Sequence, residues 1–345
     1  MKEAYLKIDL DSILYNYRHL KCYYQKNVIA VLKDDAYGVG LIEVMKTLQY
    51  EKDLIIAINH LNEAIALREN GFEKDILYLN VFDEKDIPII QKYNISVIVE
   101  SFYQLKLLKN QPIRFHIKFN TGMNRIGFDE IDAPKAIKEL NTFSKQYQLV
   151  GAMTHFADED QNHSAFFKFE KYVKQLQKKD LIVHCFASNS LSEYFDEKIT
   201  NYIRVGIKLY GIGERSTFLH SALTLMSPII SIHAVKEKQK VGYDFIYETP
   251  TDGHLYLLPI GYGQGWGRFK QSFAFTNYRF LKQAGKISMD YSSYFSKQLI
   301  DLQEEVELFG KNIPLESLCQ INDIDPHEIL VRLKVRKEYH KITLK

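Results

Sequence analysis

The chain has 345 residues, which is more than one hydrophobic core usually serves, so we expect two domains. Hydrophobic residues make up 46% and charged residues 26%, and a net charge of +2 points to neither nucleic acid nor an anionic membrane surface as a partner. The three cysteines form no C-x-x-C pair and no apolar run is as long as a membrane span, which together indicate a cytoplasmic protein without disulfides. The charged segment Met1–Leu10 predicts a strand rather than a signal peptide.

Short, β-rich apolar runs recur along the first two thirds of the chain. They are Val28–Leu32, Leu54–Ile58, Ile76–Leu79, Val97–Val99, Ile113–Ile117, Leu149–Thr154, Leu181–Phe186 and Tyr202–Val205. Most are separated by stretches with helical spacing, such as Leu61–Glu69 and Phe166–Leu176. Eight strands that alternate with helices predict an α/β domain, a parallel (β/α)8 barrel of the TIM type, over residues 1–220.

The pattern changes after about Gly213, where strand-like segments follow one another with turns and few helices between them. These segments are Leu225–Val235, His254–Ile260, Phe273–Phe280, Lys286–Phe295 and Val306–Phe309. They predict a smaller, mainly-β C-terminal domain over residues 221–345.

Polar residues follow the predicted barrel strands at the end where barrel enzymes carry their chemistry. Strand one is followed by Lys33 and Tyr37, and an amine at a strand tip suits covalent carbonyl chemistry. The other strand tips supply Lys118, Asn120, Arg125, His155, Asn189, Ser190, Arg204, Gly206 and Ile207. The loops after strands seven and eight are the usual phosphate site of such barrels, and Asn189, Ser190, Gly206 and Ile207 suit that role.

Each of these residues also has a purely structural interpretation. His155 could be a hydrogen-bonded core histidine, Arg204 an ion-pair partner, and Ser190 the cap of the next helix. Lys33 and Lys118 could point into solvent. Because all of them fall at one face of the predicted barrel, we favour a common functional site.

Motifs in the same order as in a known family cover nearly the whole chain. They are Ala30-Val31-Leu32-Lys33-Asp34-Asp35-Ala36-Tyr37-Gly38, Thr121-Gly122-Met123-Asn124-Arg125-Ile126-Gly127, Thr154-His155-Phe156-Ala157, Ser188-Asn189-Ser190, Arg204-Val205-Gly206-Ile207, Leu209-Tyr210-Gly211, Val241-Gly242-Tyr243, Pro259-Ile260-Gly261-Tyr262 and Ser288-Met289-Asp290. In these motifs the chain resembles the alanine racemases, two-domain enzymes of fold type III that use pyridoxal 5'-phosphate (PLP). The resemblance implies an isomerase that interconverts L-alanine and D-alanine and supplies D-alanine for peptidoglycan.

The resemblance also implies a role for each matching residue. Lys33 would hold PLP as a Schiff base and act as the base on one face of the substrate, and Tyr243 would be the base on the other face, supplied by the partner subunit of a homodimer. Tyr37, Ser190 and the backbone at Gly206 and Ile207 would hold the phosphate. Arg204 would meet the pyridine nitrogen with His155 close by, and Arg125 would bind the substrate carboxylate. Tyr262 and Met289 of the partner subunit would line the substrate passage and pocket. Lys118 matches a lysine that is often carbamylated. Tyr247 is the competing candidate for the second base.

Three departures from the family pattern bear on cofactor affinity and substrate choice. Asn120 stands where the family has an acid, Gly263-Gln264 follows Tyr262, and Leu333 falls where the family has a tyrosine that contacts the phosphate. The alternatives are therefore a racemase of another small amino acid such as serine, or a degenerate PLP-binding paralogue of low activity. A decarboxylase is disfavoured by the surroundings of Cys319, and a non-catalytic PLP carrier by the second domain.

Overall fold

The structure is a computed structural model and describes residues 3–156, 162–191, 198–213 and 218–341. Packing divides the chain into two compact units. The barrel unit comprises Tyr17–Ala36 and Gly40–Leu209, and the β unit comprises Met1–Asn16, Tyr37–Val39 and Tyr210–Lys345. Among the described residues no helix is long and apolar enough to cross a membrane.

The elements alternate between strands and helices first and are mostly strands later. The strands are β1 (Tyr5–Asp9), β2 (Asn27–Val31), β3 (Ile55–Ile58), β4 (Asp75–Tyr78), β5 (Ser96–Val99), β6 (Arg114–Lys118), β7 (Gln148–Met153), β8 (Ile182–His184), β9 (Tyr202–Val205), β10 (Leu223–Pro228), β11 (Ser231–Val235), β12 (Lys240–Val241), β13 (Tyr247–Glu248), β14 (Gly253–Leu258), β15 (Phe273–Thr276), β16 (Arg279–Gln283), β17 (Ser292–Ser296), β18 (Glu305–Phe309) and β19 (Arg336–His340). The helices are α1 (Leu10–Tyr24), α2 (Lys33–Tyr37), α3 (Leu41–Leu48), α4 (Leu61–Glu69), α5 (Ile87–Lys92), α6 (Phe102–Leu108), α7 (Ala133–Thr142), α8 (Asn162–Gln175), α9 (Leu315–Asn322) and α10 (Pro326–Arg332).

The barrel unit is built on an eight-stranded sheet with the order β8-β7-β6-β5-β4-β3-β2-β9. All seven ladders are parallel, and strands such as β3 and β5 are buried along their whole length. Continuous apolar runs form such strands because both of their faces are covered. The edge strands meet where Arg204 N donates to Phe186 O at 3.0 Å and Asn201 N to Val183 O at 3.1 Å, so the sheet nearly closes. The prediction of a (β/α)8 barrel followed by a mainly-β domain is confirmed.

The β unit contains a nine-stranded sheet with the order β11-β14-β17-β16-β15-β18-β10-β1-β19. Burial alternates along β10 and β15, as it does in strands that cover a core with one face. The predicted N-terminal strand is β1, which pairs antiparallel with β10 and parallel with β19. The division of the chain at residues 220 and 221 stays a prediction about the domain boundary.

Candidate active site

The carboxyl ends of the barrel strands carry most of the polar residues that the sequence predicts for the site. Lys33 follows β2, Lys118 ends β6, His155 follows β7, and Arg204 lies in β9. Arg125 lies in the loop between β6 and α7, Ser190 in a turn after β8, and Gly206 and Ile207 directly after β9. Parallel strands bring these ends to one rim, so residues far apart in sequence share one site.

The turn after Lys33 has an unusual backbone. Asp34, Asp35 and Ala36 have φ angles of 56°, 55° and 56° with ψ between 44° and 53°, which makes α2 a left-handed helical turn. Such a conformation costs roughly 1–2 kcal/mol per residue, so it persists only where its surroundings hold it. The Glu63 carboxylate accepts a hydrogen bond from Asp35 N at 3.0 Å, and the Asp35 carboxylate accepts one from Leu41 N at 2.8 Å. These contacts fix the backbone beside the lysine.

The Lys33 amine lies at a partly open position. Its side chain is 39% exposed, and Nζ lies 3.7 Å from the Asp34 carboxylate. The same carboxylate lies 3.4 Å from His60 Nε2. An amine that is paired with one half-buried acid and is itself partly exposed remains accessible to a carbonyl compound.

Arg204 is the most heavily bonded side chain of the site and is 3% exposed. Its Nη1 donates to His184 Nδ1 at 2.8 Å and to His184 O at 3.0 Å. Its Nη2 donates to Thr154 O at 2.9 Å, Cys185 O at 2.9 Å and His155 Nδ1 at 3.0 Å. All of these acceptors are neutral, so the guanidinium is satisfied without a carboxylate, and burial lowers the pKa of Arg204 to about 10.

Two histidines that the sequence analysis did not single out complete this network. Because Arg204 has only donors, His184 Nδ1 must accept, and the proton of this ring lies on Nε2. That proton is donated to His116 Nδ1 at 2.8 Å, which leaves the proton of His116 on its Nε2. We call His116, His184 and Arg204 the relay. The signal available in the sequence was a histidine inside each of two predicted strands, His116 in Ile113–Ile117 and His184 in Leu181–Phe186.

His116, His155 and His184 are neutral. Burial and the neighbouring arginines lower the pKa of His116 to about 3, and burial with Arg204 lowers the pKa of His184 well below its usual value. His155 also has its pKa lowered to about 3, first by burial and then by Arg204, Arg125, Lys118 and Lys33. A neutral His155 accepts the hydrogen bond from Arg204, as the geometry requires.

Lys33, Lys118, Arg125 and Arg204 thus surround one neutral imidazole. Lys118 is 5% exposed, and burial together with the two arginines lowers its pKa to about 7, against the opposing effect of Glu100. So many cationic side chains around one position indicate a site for anionic groups.

The turns after β8 and β9 lie side by side, because Gly206 N donates to Ser188 Oγ at 3.2 Å. Ser190 Oγ accepts from Ala187 N at 2.8 Å, and its own hydroxyl proton can turn either to Ala187 O or to a ligand. Ile207 opens a 3₁₀ helix, where an N–H has no intrahelical acceptor. These groups suit a phosphate. The side chain of Asn189 lies outside the described residues.

The loop that carries Arg125 is shaped by Asn120. The Asn120 side-chain oxygen accepts from Asn124 N at 2.9 Å and from Gly122 N at 3.3 Å, and its amide nitrogen donates to Asn124 Oδ1 at 3.0 Å. An amide oxygen can accept these backbone bonds as a carboxylate would.

The remaining predicted residues belong to the β unit. Tyr37 is 7% exposed, and its ring lies 5.4 Å from that of His327. Tyr243, Tyr262 and Met289 are 67%, 36% and 56% exposed. Tyr262 N donates to Ser288 O at 3.1 Å, and the next residue's N–H donates to Met289 O at 2.8 Å, so the turns that carry Tyr262 and Met289 lie together.

Tyr243 lies in a turn beside these. It follows Gly242, whose φ is 73°, and an ion pair between Asp244 and Lys286 ties its turn to the segment that precedes Met289. Leu333 follows α10 and is 7% exposed, so its aliphatic side chain is buried and offers no hydrogen-bond donor.

A barrel whose strand tips carry a lysine and an anion-binding cluster, joined to a β unit with exposed tyrosines, defines a two-domain barrel enzyme. Sequence profiles described as the N-terminal and C-terminal domains of alanine racemase match residues 8–214 and 222–341. The chain belongs to the alanine racemase family.

Individual relatives agree over almost their full length. An alanine racemase of Streptococcus equi subsp. equi is 31% identical over 93% of this chain and 97% of its own. The solved alanine racemase of Clostridium difficile 630 superposes with a TM-score of 0.88 at 27% identity, over 99% of this chain and 97% of that one. An alanine racemase of Bartonella henselae, solved with covalently bound pyridoxal phosphate, has a TM-score of 0.88 at 25% identity, over 98% and 99%.

The residues of the barrel unit fit the cofactor that the family uses. PLP needs an amine for its aldehyde, donors for its phosphate and a partner for its ring nitrogen. Lys33, the paired turns with Ser190 and Ile207, and the buried Arg204 offer these three functions within one unit. The surplus of cations around His155 is compatible with a phosphorylated ligand.

Proposed function

We propose that this protein racemises alanine with PLP bound at Lys33 and that its D-alanine serves peptidoglycan synthesis in the cytoplasm. The proposal rests on the position of Lys33 at a strand tip, close to the cationic side chains around His155. These include the buried Arg204, whose hydrogen-bond acceptors are all neutral. When bound, PLP supplies the electron-withdrawing system that makes the Cα proton of an amino acid removable. The three cysteines are free, which agrees with a reducing compartment.

Arg204 would face the pyridine nitrogen of the cofactor as a donor. Its pKa of about 10 lies above any ordinary working pH, so the guanidinium keeps its proton and gives none to the ring nitrogen. His155 and His184 hold the guanidinium in place by accepting from it. By giving no proton to the ring nitrogen, Arg204 would favour simple proton exchange over transamination.

Two bases on opposite faces of Cα explain inversion without rotation of the substrate. Lys33 would remove or return the proton on one face, and Tyr243 of a second subunit on the other. The exposure of Tyr243, together with that of Phe245 at 65% and Ile246 at 63%, supports this assignment, because an apolar group of this kind is usually covered by a partner. The proposed assembly is therefore a homodimer, with Tyr262 and Met289 of the partner subunit lining the substrate pocket.

Arg125 would bind the substrate carboxylate, and Lys118 would orient it. With a pKa near 7, a large fraction of Lys118 is a neutral amine at neutral pH. A neutral amine can add CO₂, which forms an N–C bond and releases a proton, and the resulting carbamate anion would offset the charge of Arg125. This supports carbamylation at Lys118.

The test is α-proton exchange in deuterated water, followed by proton NMR with L-alanine and D-alanine added separately to PLP-loaded protein. We expect loss of the Cα proton signal and inversion from both isomers. Serine, tested in parallel, measures discrimination against one added hydroxyl. Stable binding of PLP without exchange from either alanine isomer would refute the racemase and favour a binding role.

A further inference from the structure

The barrel unit has a second concave site, at the amino ends of its strands. A cavity of about 330 Å³ opens there, and its lining includes the first residue of five barrel strands: Ile55, Asp75, Ser96, Arg114 and Ile182. We call it the amino-end cavity. Its size falls at the lower end of the range of small-molecule sites, roughly 300–1,000 Å³. Lys33, Lys118 and His155 lie at the opposite, carboxyl ends of the strands.

One wall of the amino-end cavity is His116, which is 2% exposed. Its Nδ1 accepts from His184, so its ring proton lies on Nε2, and the described residues provide no hydrogen-bond partner for that N–H. A Cβ at Gly151 would lie 2.2 Å from the His116 ring, so only glycine leaves room for the imidazole there. A donor that is held in place at a cavity wall and has no protein acceptor is available to an acceptor inside the cavity.

The charged lining favours an anion. Arg114 is paired with Asp75 at 2.6 Å, which neutralises both. Lys178, Lys179 and Asp180 remain on the segment before β8, and the structure records no ion pair for these two lysines within its described ranges. The pKa of His116 is lowered to about 3, so its ring is a neutral donor and adds no charge. Lys178, Lys179 and Asp180 together leave the cavity lining with one surplus positive charge.

We propose that the amino-end cavity binds a small molecule through an oxyanion, a carboxylate or phosphate group. The oxyanion accepts the hydrogen bond of His116 Nε2 and is neutralised by Lys178 and Lys179. Ser96 adds a hydroxyl donor to the same wall. This site is separate from the residues proposed for racemisation and does not depend on that activity.

The direction of the relay agrees with an anion at this end. Every hydrogen bond of the relay runs from Arg204 toward the cavity, because Arg204 donates to His184 and His184 donates to His116. A ring that donates to an anion becomes a better acceptor at its other nitrogen, so each bond strengthens the next. An oxyanion at His116 thereby stabilises a buried guanidinium whose recorded acceptors are all neutral.

Titration calorimetry of the PLP-loaded holoenzyme with inorganic phosphate, and separately with acetate, in a Tris chloride buffer tests the proposal. Loading with PLP fills the phosphate turns at the other end of the barrel. The variant Lys178→Gln/Lys179→Gln removes two exposed charges and leaves polar side chains in their place, so its fold is retained. We expect saturable binding in the wild type and a dissociation constant at least tenfold higher in the double variant. Tighter binding of phosphate than of acetate, or the reverse, identifies the preferred group.

Lys171→Gln on α8 provides the matched control, because Lys171 is exposed and does not line the cavity. It should bind as the wild type does. Equal affinity of the wild type and the double variant overturns the proposal, and so does the absence of saturable binding for both probes.

A second measurement addresses His116 directly. In protein labelled with ¹⁵N-histidine, the ring signal that a His116→Gln variant lacks should move during the titration and saturate with the calorimetric dissociation constant. If binding depends on the two lysines but the His116 signal does not move during the titration, His116 is not the donor, and the assignment is overturned.

Discussion

The replacement of Tyr243 by Phe separates catalysis from stability. The side chain is 67% exposed, and loss of one hydroxyl from such a position changes the free energy of unfolding by less than about 0.5 kcal/mol. Loss of a positioned general base costs about 10²–10⁴-fold in rate. That range corresponds to roughly 3–5 kcal/mol of activation free energy, well above the structural effect.

The assay follows exchange of the Cα proton for deuterium from L-alanine and from D-alanine in separate samples. Tyr243→Phe should lose exchange mainly from L-alanine, because Lys33 still serves the other face. Tyr247→Phe is the matched control from the same segment. Tyr247 is half-buried, and burial raises its pKa, so less of its side chain is ionised and able to accept a proton at the assay pH. Undiminished exchange from L-alanine in Tyr243→Phe, or the same loss in Tyr247→Phe, would refute the reasoning.

Three further predictions concern the barrel interior. Arg204→Lys should lower the free energy of unfolding by about 3 kcal/mol or more in urea titrations, because a lysine cannot supply all five hydrogen bonds and leaves buried acceptors unpaired. His116 and His155 have pKa values near 3 in the folded protein, below the unfolded value of about 6.5. They therefore contribute stability above pH 6.5, and each loses about 1.4 kcal/mol of it per pH unit as the pH falls toward 3. His116→Gln should make the free energy of unfolding depend less steeply on pH in this range. Lys118 has a pKa near 7 in the folded protein, below its unfolded value of about 10.5, so the unfolded chain binds more protons between these two pH values. In CO₂-free buffer, the free energy of unfolding of the wild type should therefore rise from pH 7 to 10.5. Lys118→Met should not show this rise.

The barrel could be predicted because its signal is local. Each predicted run, such as Ile76–Leu79 or Val97–Val99, contains a strand of the structure within a residue or two. A parallel strand that is buried on both faces is mostly apolar, so a short window of sequence identifies it. The helix Leu61–Glu69 was predicted with the bounds that it has.

The candidate site was only partly predictable. Lys33 and His155 could be named because they follow apolar runs, and Arg204 because it lies next to the last residue of one, and the structure places them at one rim. His116 and His184 could not, because a histidine inside a strand pattern is more often a satisfied core residue. Their significance depends on a contact across 68 residues of sequence.

The sequence by itself determined the number and order of the barrel strands, the strand-tip position of Lys33 and the family. Those properties follow from residue types and their spacing within short stretches of sequence, because the burial of a strand or helix face directly determines which positions are apolar. The tertiary structure decided that β1 pairs inside the C-terminal sheet, that Asp34–Ala36 form a left-handed turn, and that three relay residues from β6, β8 and β9 meet. The pairing of β1 and the meeting of the relay residues depend on how distant segments pack, and the left-handed turn depends on the contacts that hold a strained backbone. A local sequence pattern encodes neither.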